Sequence, residues 1–149
     1  MIYQEEKISE AFDEMDPLMI VHWQEVANNQ DIRPLDVDYD KYIALNNQGD
    51  LRLFTVRDDY GTLVGYATFF IANNLHYKTW KYASNDVYYL AEEFRKTGVS
   101  NKMFEEIEKW LIDMGVNNIV IQDKIHHTHE KFFTKMGYTL IEQNYEKVI

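Results

Sequence analysis

Between positions 51 and 74 the chain reads LRLFTVRDDYGTLVGYATFFIANN. Two runs rich in β-branched and aromatic residues flank Asp58-Asp59-Tyr60-Gly61, where the glycine is available for the positive φ that hairpin loops need. A β-hairpin is predicted here, and the remainder of the chain has to supply neighbours for its two strands. Upstream, SEAFDEMDPLMIVHWQEVANN places Phe12, Met15, Met19, Ile20, Trp23 and Val26 at helical spacing. Pro17 marks a helix start or break, so one or two helices lie there. The polar stretch QDIRPLDVDYDKYIALNNQGD is a connector carrying a short helix that stops near Asn47 and Gly49.

Downstream, SNDVYYLAEE reads as a third strand, and NKMFEEIEKWLIDMG as an amphipathic helix. Its inner face carries Met103, Ile107, Trp110 and Leu111, preceded by Val99, while Glu105, Glu106, Glu108 and Lys109 face water. A short apolar strand NNIVIQD follows, then a helix HTHEKFFTKMG closed by Gly137, then a terminal strand pattern YTLIEQNYEKVI. The order is helices, hairpin, strand, helix, strand, helix, strand. It predicts an α/β (α+β) fold in a single domain spanning residues 1–149.

Charge and composition exclude several functions. The 15 Lys+Arg against 25 Asp+Glu give a formal charge of −10, which repels a nucleic-acid backbone. The chain has no cysteine, which removes disulfides, thiolate metal sites and a cysteine nucleophile. The start MIYQEEKISEAFDEMD lacks a basic segment followed by an apolar one, and no later apolar run approaches membrane-spanning length. A cytoplasmic protein without membrane contact is expected.

The third strand leads into RKTGVS, immediately ahead of the amphipathic helix. A helix start leaves backbone N–H groups without intrahelical partners, and a glycine lets an anion approach them. The loop reads as a phosphate cradle or as an ordinary turn, and six residues alone do not separate the two. Ser100 can cap the helix or bond a phosphate oxygen. The cluster HHTHE holds His126, His127, His129 and Glu130, but HExxH spacing is absent, so no metal site is expected.

Together these segments resemble the GNAT acyltransferases over most of the chain. That family carries Q/R-x-x-G-x-G/A between its fourth strand and third helix, and RKTGVS supplies Arg95 and Gly98 with Ser100 in the last place. HEKFFTKMGYTLIE resembles the family's C-terminal pattern through Phe133, Gly137 and Tyr138, and LVGYATFF resembles its third strand. The likeness extends to small acetyltransferases of tailed bacteriophages. It implies a mixed sheet of about six or seven strands flanked by helices. It also implies acetyl-CoA as acyl donor, an amine acceptor and, in some arrangements, a homodimer. By resemblance the cofactor is held by Tyr89, Leu90, Arg95, Lys96, Thr97, Gly98, Val99 and Ser100, with His126 in the place of an asparagine that contacts pantetheine and Phe133 on the last helix.

Acyl transfer to an amine needs a neutral amine, hence a base or water chain, and a fixed donor for the oxyanion. The family's usual acid for the leaving thiolate is a tyrosine four residues before the last glycine, and that position is Phe133 here. Strand alternation puts Ser84, Asp86, Tyr88 and Leu90 on one side and Asn85, Val87 and Tyr89 on the other. Asp86 and Tyr88 are the catalytic candidates, Asp86 as base. A carboxylate at that point can equally bind a turn N–H or a lysine. His22, Trp23, Tyr39, Tyr77 and Trp80 are candidates for the acceptor pocket or for core and rim. Two functions follow: an N-acetyltransferase acting on a primary amine of a small molecule or protein, with the acidic surface favouring a cationic acceptor, or a GNAT-fold binding module, such as a phage accessory or virion-associated protein, in which catalysis has decayed through Ser100 and Phe133.

Overall fold

The computed structural model describes residues 1–149. Its centre is a sheet in the order β1-β2-β3-β4-β5, formed by Ile2–Glu6, Leu51–Arg57, Leu63–Asn73, Lys81–Leu90 and Asn118–Val120. The first four strands are antiparallel, and β5 joins β4 in parallel. The predicted hairpin is β2–β3. Asp58 accepts hydrogen bonds from the backbone of Tyr60 and Thr62, and Gly61 takes φ +86°, so side chain and glycine together close the loop.

Helices cover both faces of the sheet. On one face α1 (Ile8–Val26) buries Ile8, Ala11, Met15 and Met19 against Leu51, Leu53, Tyr66 and Tyr89, with Tyr42, Ile43 and Leu45 of α2 (Tyr39–Gln48) packed beside them. On the other, α3 (Val99–Asp113) buries Met103, Ile107 and Leu111 against Phe54, Val56, Ala67, Phe69 and Ala83. Trp110 stacks on Phe54 at 4.8 Å between ring centroids. Strand β3, buried on both faces from Leu63 to Phe69, is apolar almost throughout. The short α4 (Glu130–Lys135) packs Phe133 against Phe104 of α3.

Polar contacts fix the helices on the sheet. Buried Asn46 accepts from the amide of Ile8 and donates to the carbonyl of Leu51, tying α1, α2 and β2 together. Arg57 on β2 bonds Glu6 of β1 and Glu14 of α1, and these bonds hold the Glu6 carboxyl down at about 2 although burial opposes them. Asp38 caps α2 by accepting from the amide of Lys41, and Gly49 ends that helix at φ +86°.

Three expectations change. Strand β1 was not foreseen. Pro17 lies inside a single continuous α1 rather than dividing it. The sheet has five strands, not six or seven, because Tyr138–Ile149 forms no strand. Leu140, Ile141, Tyr145, Val148 and Ile149 are exposed, so the alternation in that segment buries no face against the core. No helix is long and apolar enough to cross a membrane.

Candidate active site

The site originates in an irregularity of β4. Thr68 of β3 faces Val87 and Phe69 faces Asn85, so Asp86 is the extra residue of a β-bulge. Beside it β4 and β5 separate, with strand pairing ending at Ser84↔Val120. The Asn85 side chain spans the gap by donating to the carbonyl of Gln122 and accepting from its amide. Beyond that point β4 has no strand neighbour on its β5 side, and the opening widens into a cleft of about 680 Å³. The cleft extends from Asp86 to the start of α3.

The bulge corrects the predicted faces. Asp86 accepts from the Tyr42 hydroxyl of α2 and, at 3.4 Å, from the Thr68 hydroxyl. Tyr88 points to the opposite face, where its ring meets Phe104 at 5.6 Å and Phe133 at 5.7 Å. Alternation counted along the sequence put these two residues side by side, and the inserted residue reverses the parity. Burial, and then the bond to Asp86, raises the Tyr42 hydroxyl well above the usual tyrosine range, so it remains a donor to Asp86.

At the far end, the loop into α3 turns through two left-handed residues, Lys96 at φ +61° and Gly98 at φ +90°. A Cβ on Gly98 would meet no atom within 4 Å, so the space above the helix start is open. No side chain caps α3. Its opening amides are therefore free to receive an anion, and Ser100 does not act as the cap considered from the sequence. The hydroxyl of Thr97 bonds the carbonyl of Phe94 at 2.6 Å. Arg95 is engaged on three sides: Nε donates to the carbonyl of Leu90, Nη2 bonds both carboxylate oxygens of Glu25, and the guanidinium lies 5.3 Å from the Tyr89 ring centroid.

Of the predicted cofactor residues, Tyr89, Leu90, Arg95, Lys96, Gly98 and Ser100 line the cleft, as do Asp86 and Tyr88. Thr97, Val99, His126 and Phe133 do not line it. The ring of His126 turns away to the carbonyl of Val26 at 3.0 Å. Phe133 is buried behind Tyr88 in an aromatic cluster with Phe104, Phe132 and Tyr138. His22 lines the wall and packs on Tyr89 at 5.4 Å, and burial pulls its pKa down to about 4, so it stays neutral near pH 7. Tyr77 and Trp80 lie apart from the cleft, on a separate depression with Asn74 and Asn118.

Sequence reasoning missed Asp123 and His129. Asp123 accepts from the Tyr88 hydroxyl at 2.7 Å, from the Thr128 hydroxyl at 2.8 Å and from the backbone and ring of His129. Burial pushes the Asp123 carboxyl up, but these bonds more than offset it and hold it below the usual range. The signal was a carboxylate just past an apolar strand, followed by a histidine, His129, weighed only as a metal ligand.

The donor set fits an acyl-CoA. Uncapped amides at an open glycine suit a pyrophosphate, an unpaired strand edge suits an amide-bearing arm, and His127 lines the cleft with a buried Nδ1 that has no partner in the chain. A splayed mixed sheet with such a cleft defines the class of acyl-CoA-dependent acyltransferases. The acetyltransferase (GNAT) family model matches residues 13–138, and the chain belongs to that family, whose members use acetyl-CoA as acyl donor.

Solved structures share the fold at low identity. A ribosomal-protein-alanine N-acetyltransferase from Brucella melitensis biovar Abortus 2308 aligns with a TM-score of 0.74 at 15% identity, covering 100% of both chains. Glucosamine-6-phosphate N-acetyltransferase from Arabidopsis thaliana aligns at 0.72 and 14%, covering 99% of both. An aminoglycoside acetyltransferase from an uncultured soil metagenomic sample, in complex with sisomicin, aligns at 0.75 and 11%, covering 99% of this chain and 96% of that one. No curated protein matches the chain at significant similarity.

Proposed function

We propose that the protein transfers the acetyl group of acetyl-CoA to a primary amine of a small molecule or protein, and that the acceptor is cationic. The observation that carries this reading is one continuous cleft joining the uncapped start of α3, the free edge of β4 and Asp86. The α3 amides with Gly98 and Ser100 hold the pyrophosphate, and the β4 edge pairs with the pantetheine arm. Asp86 takes the acceptor's proton, directly or through water, while Tyr42 and Thr68 fix its orientation. A backbone N–H on the same free edge donates to the developing oxyanion. Acetyl-CoA supplies the electrophilic carbonyl and a thiolate that leaves. The formal charge of −10 favours approach of cations.

Phe133 in place of a tyrosine, and Glu25 paired with Arg95, favour a second reading in which the fold binds a ligand without turnover. Acetyl-CoA binding tests the cofactor site, and thiol release from it separates the two. Bound at 100 times its Kd, acetyl-CoA stabilises the fold by about 2.7 kcal/mol, which a melting curve resolves. Acceptor choice is then read from thiol release with an alanine N-terminal peptide, glucosamine-6-phosphate and an aminoglycoside. The aminoglycoside and a basic peptide should exceed the anionic sugar phosphate. A missing melting shift at millimolar acetyl-CoA overturns the transferase reading, and preference for the sugar phosphate overturns the cationic acceptor.

A further inference from the structure

The acid that Phe133 lacks has a replacement in the ring packed directly against it. Tyr88, His129 and Asp123 meet in one cluster: the Tyr88 hydroxyl lies 2.7 Å from Asp123 Oδ1 and 3.1 Å from His129 Nδ1, and His129 Nδ1 is 3.1 Å from the same Asp123 oxygen. All three residues line the cleft, between the start of α3 and Asp86. His129 stands four residues before Phe133, so the two rings lie one helical turn apart and both pack edge-on against Tyr88, at 5.8 and 5.7 Å. Nothing in the base chemistry assigned to Asp86 uses this cluster.

We propose that Tyr88 is the acid that protonates the departing CoA thiolate, with His129 and Asp123 as the residues that position it and return its proton. This rests on the acetyl-transfer reading above. The acceptor nitrogen forms a bond to the acetyl carbon, and the carbon–sulfur bond breaks with its electron pair on sulfur. The Tyr88 hydroxyl turns from Asp123 and gives its proton to that sulfur. As His129 Nε2 takes a proton from solvent, its Nδ1 proton passes to the phenolate, so the ring stays neutral overall, while the surplus amine proton leaves through Asp86. The net change is one acetyl group and one proton exchanged between nitrogen and sulfur. Asp123 is not orphaned when Tyr88 turns, because the His129 backbone and the Thr128 hydroxyl still donate to it.

The phenol is held protonated until the sulfur leaves. Burial, then the bond to Asp123, raises it well above the usual tyrosine range, so Tyr88 is a donor at every working pH and depends on a neighbouring proton source to reset. Asp123, held ionised by its four donors, fixes the His129 ring at the hydroxyl.

The test is the ionisation of CoA bound to the whole protein, followed by thiolate absorbance, which needs no acceptor. A hydroxyl facing the sulfur favours the thiolate, so Tyr88→Phe should raise the midpoint by about one pH unit relative to wild type. Turnover in Tyr88→Phe should fall roughly 100-fold with the KM for acetyl-CoA little changed. His129→Ala should lose turnover comparably and recover part of it in added imidazole, which a purely structural role would not allow. Failure of CoA to bind overturns the acetyl-transfer reading and this inference with it. Binding with the same midpoint in wild type and Tyr88→Phe overturns the inference alone, as does His129→Ala with full turnover.

Discussion

The pairing of Arg95 with Glu25 makes a quantitative prediction about cofactor affinity. The guanidinium that would meet a pyrophosphate donates to both oxygens of Glu25 at 3.1 and 2.9 Å, with the two side chains about 31% and 29% exposed. Glu25→Gln removes an ion pair of this exposure at a cost of about 0.2–1 kcal/mol in stability. It also releases a cation beside the α3 amides. A charge-assisted hydrogen bond from Arg95 to phosphate is worth about 1.5–3 kcal/mol when protected, and partial exposure roughly halves that. The gain of about 0.75–1.5 kcal/mol is a roughly 4- to 13-fold lower Kd for acetyl-CoA. Titration calorimetry at low and high salt is the assay, and the gain should shrink as salt rises. In wild type, Arg95→Ala should change Kd by no more than about 2-fold, whereas in the Glu25→Gln background it should erase the gain, so the two substitutions are not additive. Additive effects, or a Kd for Glu25→Gln equal to or higher than wild type, would refute the idea that Glu25 withholds Arg95 from the cofactor.

Further outcomes follow from the same geometry. Gly98→Asp should abolish the acetyl-CoA-induced rise in melting temperature by placing a negative charge over the α3 amides, and because φ at this position is +90° any side chain also costs about 1–3 kcal/mol of backbone strain, so Gly98→Asn, strained but uncharged, is its control; calorimetry that still detects wild-type affinity in Gly98→Asp would move the pyrophosphate elsewhere. Asp86→Asn should lower turnover about 100-fold with cofactor affinity unchanged, and higher pH should recover part of the loss as more acceptor arrives neutral. Equal rates across the pH range would place the base elsewhere. Glu6, with its carboxyl lowered from 4.5 to about 2, contributes stability that is complete above pH 4.5 and lost as the pH falls through about 2. After discounting for solvent screening, the stability gap between wild type and Glu6→Gln should narrow by about 1–2 kcal/mol between pH 6 and pH 2.5 in urea titrations.

What the sequence disclosed was mostly local. The β2–β3 hairpin, the stop of α2 at Gly49, the apolar face of α3 and the glycine that ends α4 each depend on residues close together in the chain. Strand β1 is five residues on a sheet edge, with a mixed burial pattern and pairing supplied entirely by β2 some fifty residues on. The C-terminal pattern alternates convincingly, yet alternation specifies a strand only where a face is buried, and its apolar side chains are exposed. Arg95 was legible as a cation of the right motif. Its partner Glu25, on a different helix 70 residues earlier, was not.

The bulge at Asp86 explains why the catalytic residues were harder to place than the cofactor loop. A loop leading into a helix presents its amides whatever lies around it, so RKTGVS could be read without the sheet. Which face a strand residue takes depends on every pairing before it, and one unpaired residue inverts the answer for all that follow. Asp86 therefore stays with Tyr42 and Thr68 on the α2 side, while Tyr88 crosses to Asp123 and His129, 35 and 41 residues away. The inversion has a chemical consequence. Deprotonating an amine and protonating a thiolate at one carbon calls for a base and an acid that do not neutralise each other, and opposite faces of one strand keep them apart at two positions' distance. Deleting Asp86 would heal the bulge by bringing Val87 directly after Asn85, and would leave Tyr88 opposite Ala67 on the α3 face beside His129 and Asp123. That deletion should remove the base and keep the acid in place, so it should lose about as much turnover as Asp86→Asn while the midpoint of bound CoA stays at the wild-type value; a shifted midpoint would show that the bulge positions Tyr88 as well.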